Sequence, residues 1–341
     1  APSDDCFGPL AKRIDEVGLD YALLTAERPL VPKGDPDPWV DVARQVLRFN
    51  GAQQLAGDET VCLSCQAPGR EDLSLLCLDP SHWLAPRLEV LGGLVALSAT
   101  LSPADFYRDL LGLDGKRLDI VKVDSPFPES HRRVIVAPRV STLYKDRDAH
   151  APATAQLIAD CIGAVDGNVA VYFPSFSMLH DICGRWDLSE REVLLQEPAM
   201  PDDRRREWLE RLASTDSRVV LCAVLGGIFA EGIDLPPGAL AAVIIAGPAL
   251  PPVGLERDLL KSYYEERYGE GFRYASLIPG MTKVAQAAGR LIRRMEDRGI
   301  ILLVGRRFRW REYVQLLPRE WDLQTPADPV EEIMDFQRGQ A

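Results

Sequence analysis

The sequence predicts an α/β protein built on a parallel sheet covered by helices on both faces. Short apolar runs recur at 94–97, 134–136, 169–173, 219–224, 242–245 and 300–304. Amphipathic segments near 103–111, 153–165, 175–185, 202–213, 255–268 and 282–297 lie between most of them. A strand that is apolar along its whole length must be buried on both faces, and alternation with helices makes consecutive strands parallel. A proline-punctuated stretch at 121–129, with Ser125-Pro126-Phe127-Pro128, marks the expected hinge to what precedes this region.

Upstream of that hinge the pattern differs. Residues 1–57 read as helical and irregular, with Val40, Val42, Ala43, Val46 and Leu47 near helical spacing after a proline-rich lead-in at 29–38. Residues 60–66 and 73–78 read as two strands joined by a polar stretch. Cys62 and Cys65 form a CxxC with Cys77 nearby. A metal or iron–sulfur ligand set needs a second pair or a clear fourth ligand, which is lacking, so buried strand thiols are expected.

The 341 residues suffice for one large or two ordinary domains. A content of 46% hydrophobic and 26% charged residues is that of a soluble globular protein. A net charge of −12 excludes a generally basic nucleic-acid coat, so nucleic-acid contact requires a local basic patch. Seven cysteines, an odd number in a chain this long, predict reduced thiols and a cytoplasmic location. The most apolar window, 238–255, contains Pro248, Pro251 and Pro252, and no membrane partner is expected. The chain begins with Ala1, so a fragment or processed product is expected.

Ligands of open α/β sheets gather where strands end. Leu97-Ser98-Ala99-Thr100-Leu101-Ser102-Pro103 follows the expected strand at 94–97 and offers two hydroxyls, Ser98 and Thr100, although helix capping also accounts for the stretch. After 219–224 comes a glycine-rich loop with Gly227, Glu231, Gly232 and Asp234. Its backbone can wrap a ligand and Asp234 can accept from a ribose hydroxyl; a purely structural loop held by Glu231 is the alternative. After 169–173, Ser175 and Phe176 open a helix whose free N–H groups suit phosphate, and capping by Ser175 explains it equally well.

The last stretch is 284–294. Read as a helix, it places Gln286, Arg290 and Arg293 within about 60° of one another. Val284, Leu291 and Met295 then point to the core, and Gly289 leaves room for close approach to the backbone. Guanidinium forks bind phosphate bidentately, while a solvated cationic face accounts for the same spacing.

In chain order, SATLSP, FPSF, FAEGIDLPPG and QAAGRLIRR resemble motifs III, IV, V and VI of superfamily-two helicases of the XPD/DinG group. The resemblance covers about residues 60 to 318. It implies a RecA-like parallel-sheet second motor domain over 121–341. The C-terminal piece of a first RecA-like motor domain would occupy 58–120, and a helical remnant of an arch-like insertion 1–57. By resemblance, Arg290 and Arg293 reach the γ-phosphate of ATP, and Gln286 and Gly289 lie at the nucleotide. Glu231, Gly232, Asp234, Ser98 and Thr100 couple nucleotide state to DNA grip, and Ser175, Phe176 and Gly227 hold DNA. The family implies 5′-to-3′ translocation on single-stranded DNA, with ATP and Mg2+ shared with the first motor domain. Its iron–sulfur cysteines lie upstream, so no cluster is expected in this chain.

The sequence contains neither G-x-x-x-x-G-K-[ST] nor an Asp-Glu-Ala-His box. The chain is therefore expected to carry the arginine half of an ATPase site and to be inactive alone. Gly305 stands where the family commonly has an aspartate, which puts coupling through that loop in question. A reading of a different class, a motor-incomplete and non-catalytic nucleic-acid or protein interaction module, accommodates the negative charge.

Overall fold

The computed structural model describes residues 7–27, 31–32, 35–113, 118–214, 218–231 and 235–339. They form two compact units, residues 1–95 with 107–118 and residues 96–106 with 119–341.

The first unit contains α1 (Gly8–Glu27), α2 (Pro38–Gln54), an antiparallel ribbon of β1 (Thr60–Ala67) and β2 (Arg70–Cys77), and α3 (Ser81–Glu89). The Asp37 carboxylate starts α2 by accepting the N–H groups of Trp39 and Val40 at 3.0 and 3.3 Å, with Pro38 in the first turn. Cys62 stands opposite Leu75 and Cys65 opposite Asp72. Three residues apart on a strand, the two thiols face opposite sides, which disqualifies the CxxC as a ligand pair. The expectation of buried thiols is corrected: Cys65 and Cys77 are exposed and Cys62 is half-buried. A two-stranded ribbon has too little sheet to enclose both of its faces.

The buried strand expected at 94–97 does not form. Val95 and Leu97 are 82% and 89% exposed, and the segment joins no ladder among the described residues. An apolar run becomes a strand only where a neighbour supplies its N–H and C=O partners. The helix expected at 103–111 is α4 (Ala104–Leu111).

The second unit is a seven-stranded parallel sheet. Its strands are β3 (Arg132–Ala137), β4 (Val169–Phe173), β5 (Glu192–Leu195), β6 (Val219–Val224), β7 (Ala242–Ile245), β8 (Gly299–Val304) and β9 (Leu323–Gln324), in the order β5-β6-β4-β7-β8-β3-β9. The periodicity predicts the bounds of β4, β6 and β7 to the residue. It misses β5 and β9, the sheet's two edge strands: β5 opens on exposed Glu192 and is only partly buried, and β9 has two residues.

Side chains alternate between the two faces, and each face carries its own core. Tyr172, Leu221, Val243 and Leu303 pack under α7 (Asp202–Ala213) and α9 (Ile278–Ala288). Val171, Cys222, Ile244 and Leu302 pack under α5 (Arg147–Ala164), α6 (Phe176–Cys183) and α11 (Pro329–Gln337). The helices α8 (Leu255–Tyr268) and α10 (Arg311–Val314) complete the unit.

Asn168, buried just before β4, closes the sheet's amino edge. Its Nδ2 donates to the carbonyls of Leu212, Ser214 and Ala239 at 3.1, 3.3 and 3.0 Å, and its Oδ1 accepts from Val219 N–H at 2.9 Å. No helix among the described residues is long and apolar enough to cross a membrane.

Candidate functional site

At the carboxyl end of β4 the chain turns directly into α6. Ser175 is the N-cap: its backbone is extended and its Oγ accepts Met178 N–H at 3.3 Å. Phe176 is half-buried against the core beneath α6. The capping role is therefore filled, and the first-turn N–H groups of α6 are those a helix start leaves without intrahelical partners.

The segment after β6 is tightly folded. Gly226 has φ +76°, and a Cβ there would stand 2.7 Å from Lys283 Nζ of α9. At Gly227 a Cβ would meet Val224 Cγ2 at 2.8 Å and Gln196 Nε2 at 3.0 Å, so Gly226 answers to its positive φ and Gly227 to crowding. The carbonyl of Gly227 accepts two N–H groups, those of Ala230 and Glu231, each at 3.0 Å. Phe229 is fully buried, stacked on Trp208 with centroids 5.5 Å apart. Its carbonyl accepts the hydroxyl of Tyr172 at 3.0 Å. Glu231 is exposed. Gly232 and Asp234 lie outside the described residues. Gln196 escapes sequence reasoning because it follows β5, the strand the pattern missed; its Oε1 accepts Val224 N–H at 3.0 Å and so braces the loop's start.

The helical face expected over 284–294 is corrected. The helix α9 ends at Ala288, with Gly289 as its exposed C-cap, so Gln286 stays on the helix while Arg290 and Arg293 leave from the turn beyond it. The Asp297 carboxylate accepts the N–H groups of Arg293 and Arg294, both at 2.8 Å, and this local bonding competes with continued helix. Val284 and Leu291 reach the core as expected, but Met295 is 53% exposed because the turn carries it outward.

The arginines meet the glycine-rich segment all the same. Arg290 Nε donates to the carbonyl of Ala230 at 3.3 Å, and both arginines are half-buried residues. Burial pushes the Tyr172 phenol well above its usual pKa, and the positive charges of Arg290 and Arg293 oppose that rise. Two arginines close together in sequence, Arg290 held by the Ala230 carbonyl, offer donors suited to a multiply charged phosphate. Among the described residues no three His, Cys, Asp or Glu side chains are gathered as for a metal.

Ser98, exposed, and Thr100, half-buried, sit in irregular chain rather than at the end of a sheet strand. Ser98 Oγ lies 3.2 Å from Thr100 Oγ1 and accepts Thr100 N–H at 3.1 Å. After β8, Gly305 has φ +123° and faces the Thr142 side chain. Arg307 is buried, donating to Thr142 O at 3.0 Å and Oγ1 at 3.2 Å, and Arg306 pairs with Asp146. These two arginines clamp the loop after β3.

Residues 158–324 match the helicase C-terminal domain family. A probable ATP-dependent helicase of Methanocaldococcus jannaschii is 26% identical over 257 residues, covering 70% of this chain and 38% of that protein. A regulator of telomere elongation helicase 1 homologue of Drosophila mojavensis is 30% identical over 195 residues, covering 52% of this chain and 19% of that protein. The chain thus spans well under half the length of these relatives. An XPD helicase structure superposes with a TM-score of 0.61 at 18% identity, over 84% of this chain and 54% of the other. An apo XPD structure gives 0.61 at 19% identity, over 84% and 59%. At such identities the structures establish a shared fold, a RecA-like parallel sheet flanked by helices.

Proposed function

We propose that this chain, whose residues 158–324 match the helicase C-terminal domain family, is the C-terminal motor portion of an ATP-dependent 5′-to-3′ DNA helicase of the XPD/DinG-like superfamily-two group. The observation supporting this most directly is the docking of Arg290 on the carbonyl of Ala230. It joins the two motifs that, by resemblance, serve the nucleotide.

In this reading ATP and Mg2+ bind chiefly to a first motor domain, and this chain completes the site. Arg290 and Arg293 reach the γ-phosphate and neutralise the charge that grows on its oxygens during transfer, an effect worth about 10³ to 10⁵ in rate elsewhere. Their half-burial strengthens that interaction by excluding water. Gln286 and Gly289 line the nucleotide's edge. Glu231, Gly232 and Asp234, with Ser98 and Thr100, couple nucleotide state to the grip on single-stranded DNA. The helix start at Ser175 and Phe176, and the backbone at Gly227, hold strand phosphates.

The test is ATP hydrolysis stimulated by single-stranded DNA in the full-length protein. Arg290→Ala and Arg293→Ala should each lower turnover by about 10³ while nucleotide binding persists. Wild-type turnover in both variants overturns the finger assignment. The 341-residue chain alone should hydrolyse no ATP, since it lacks both a phosphate cradle and a magnesium carboxylate motif.

A further inference from the structure

Tyr172 lies in the middle of the sheet, fully buried, with Ala223 of β6 and Ile245 of β7 as its register partners. A phenylalanine would fill that apolar place equally well. A buried hydroxyl is tolerated only when hydrogen-bonded, and this one donates to the carbonyl of Phe229.

The bonds around that carbonyl form a compact set. The peptide group between Phe229 and Ala230 is held at its carbonyl by Tyr172 and at its N–H by the carbonyl of Gly227. The next peptide group, between Ala230 and Glu231, is held at its carbonyl by Arg290 and at its N–H by the same Gly227 oxygen. Two successive peptide planes are thus each pinned at both ends. Without the hydroxyl, the first plane keeps only its bond to Gly227 and can rock about it. The Ala230 carbonyl that receives Arg290 would rock with it.

We propose that Tyr172 is a positioning residue for Arg290: its hydroxyl fixes the turn that aims the guanidinium, and thereby ties the arginine to the strand leading into Ser175. The proposal rests on the finger role assigned above. A displaced guanidinium still contributes to nucleotide affinity through its charge but misses the geometry of the reacting phosphoryl group. A misplacement of about 1 Å can cost up to about a hundredfold in rate.

The decisive variant is Tyr172→Phe, which keeps the ring and removes the hydroxyl. In the full-length protein it should lower kcat for DNA-stimulated ATP hydrolysis about tenfold and leave KM for ATP unchanged. In the 341-residue chain, hydrogen exchange at the Ala230 and Glu231 amides should quicken about tenfold, with β4 and β6 amides unchanged. A kcat equal to wild type, an unchanged exchange at Ala230 and Glu231, or a rise across the whole sheet overturns the proposal. Arg290→Ala run in parallel separates the two ideas. If it retains wild-type turnover, the finger reading fails. If it abolishes turnover while Tyr172→Phe is normal, the positioning role alone fails.

Discussion

Arg290 Nε reaches the carbonyl of Ala230 across 3.3 Å, joining two segments 60 residues apart in the chain. The bond uses the inner nitrogen of the guanidinium and so orients the fork as a rigid plane. A lysine at this position keeps the positive charge but has no inner nitrogen and no fork. In the full-length protein, Arg290→Lys should therefore lose most of the turnover that Arg290→Ala loses, at least about a hundredfold. Steady-state ATP hydrolysis checks this; turnover above about a tenth of wild type would mean that charge alone suffices.

Asn168 ties together the amino edge of the sheet through one amide that makes four hydrogen bonds. Asn168→Ala leaves Val219 N–H and three carbonyls without that partner in a buried place. The expected cost is about 2 to 4 kcal/mol of unfolding free energy. Urea titration of the 341-residue chain measures it, and a loss below about 1 kcal/mol would show that other groups or water take over the partners.

Gly247 and Gly269 both have positive φ but differ in their surroundings. A Cβ at Gly247, where φ is +94°, would lie 2.6 Å from Thr142 Oγ1. At Gly269, the left-handed cap of α8, nothing lies within 4 Å. Gly269→Ala should cost about 1 to 2 kcal/mol for its backbone conformation alone. Gly247→Ala should cost more, because displacing Thr142 also disturbs its bonds to buried Arg307. Paired thermal or urea melts test the order, and equal losses would contradict it.

Asp146 accepts the hydroxyl of Ser141 and pairs with Arg306, and these hold its carboxyl below the usual carboxylate range despite opposing desolvation. A folded-state value below the unfolded one means that the stabilisation is fully present above the ordinary value of about 4. It is lost as pH falls through the depressed value. Asp146→Asn should accordingly be less stable than wild type at pH 7, and the gap should narrow as pH falls below about 4. Urea midpoints at neutral and low pH decide this; a gap that persists at low pH would assign the effect to packing.

Much of the fold was legible because buried parallel strands are apolar along their whole length. Val169–Phe173, Val219–Val224 and Ala242–Ile245 could be bounded to the residue, as could the amphipathic helix Asp202–Ala213. The edge strands Glu192–Leu195 and Leu323–Gln324 were not legible, since the first opens on an exposed glutamate and is only partly buried, and the second has two residues. The run at 94–97 was apolar enough to suggest a strand, but hydrophobicity does not supply the neighbour that strand pairing requires.

The sequence by itself determined the alternation of strands and helices, the order of the motifs and the residue types available for binding phosphate. Tertiary structure decided how Arg290 and Arg293 are presented. Helical periodicity put them with Gln286 on one face, but helix α9 stops at Ala288 and Asp297 captures the backbone beyond it. Arg290 instead docks on the turn at Gly227–Glu231, to which the Tyr172 hydroxyl of β4 also bonds. Side-chain periodicity is a local property that a sequence displays directly. A hydrogen bond such as Arg290 to Ala230 depends on long-range packing, and only the folded sheet brings its partners together.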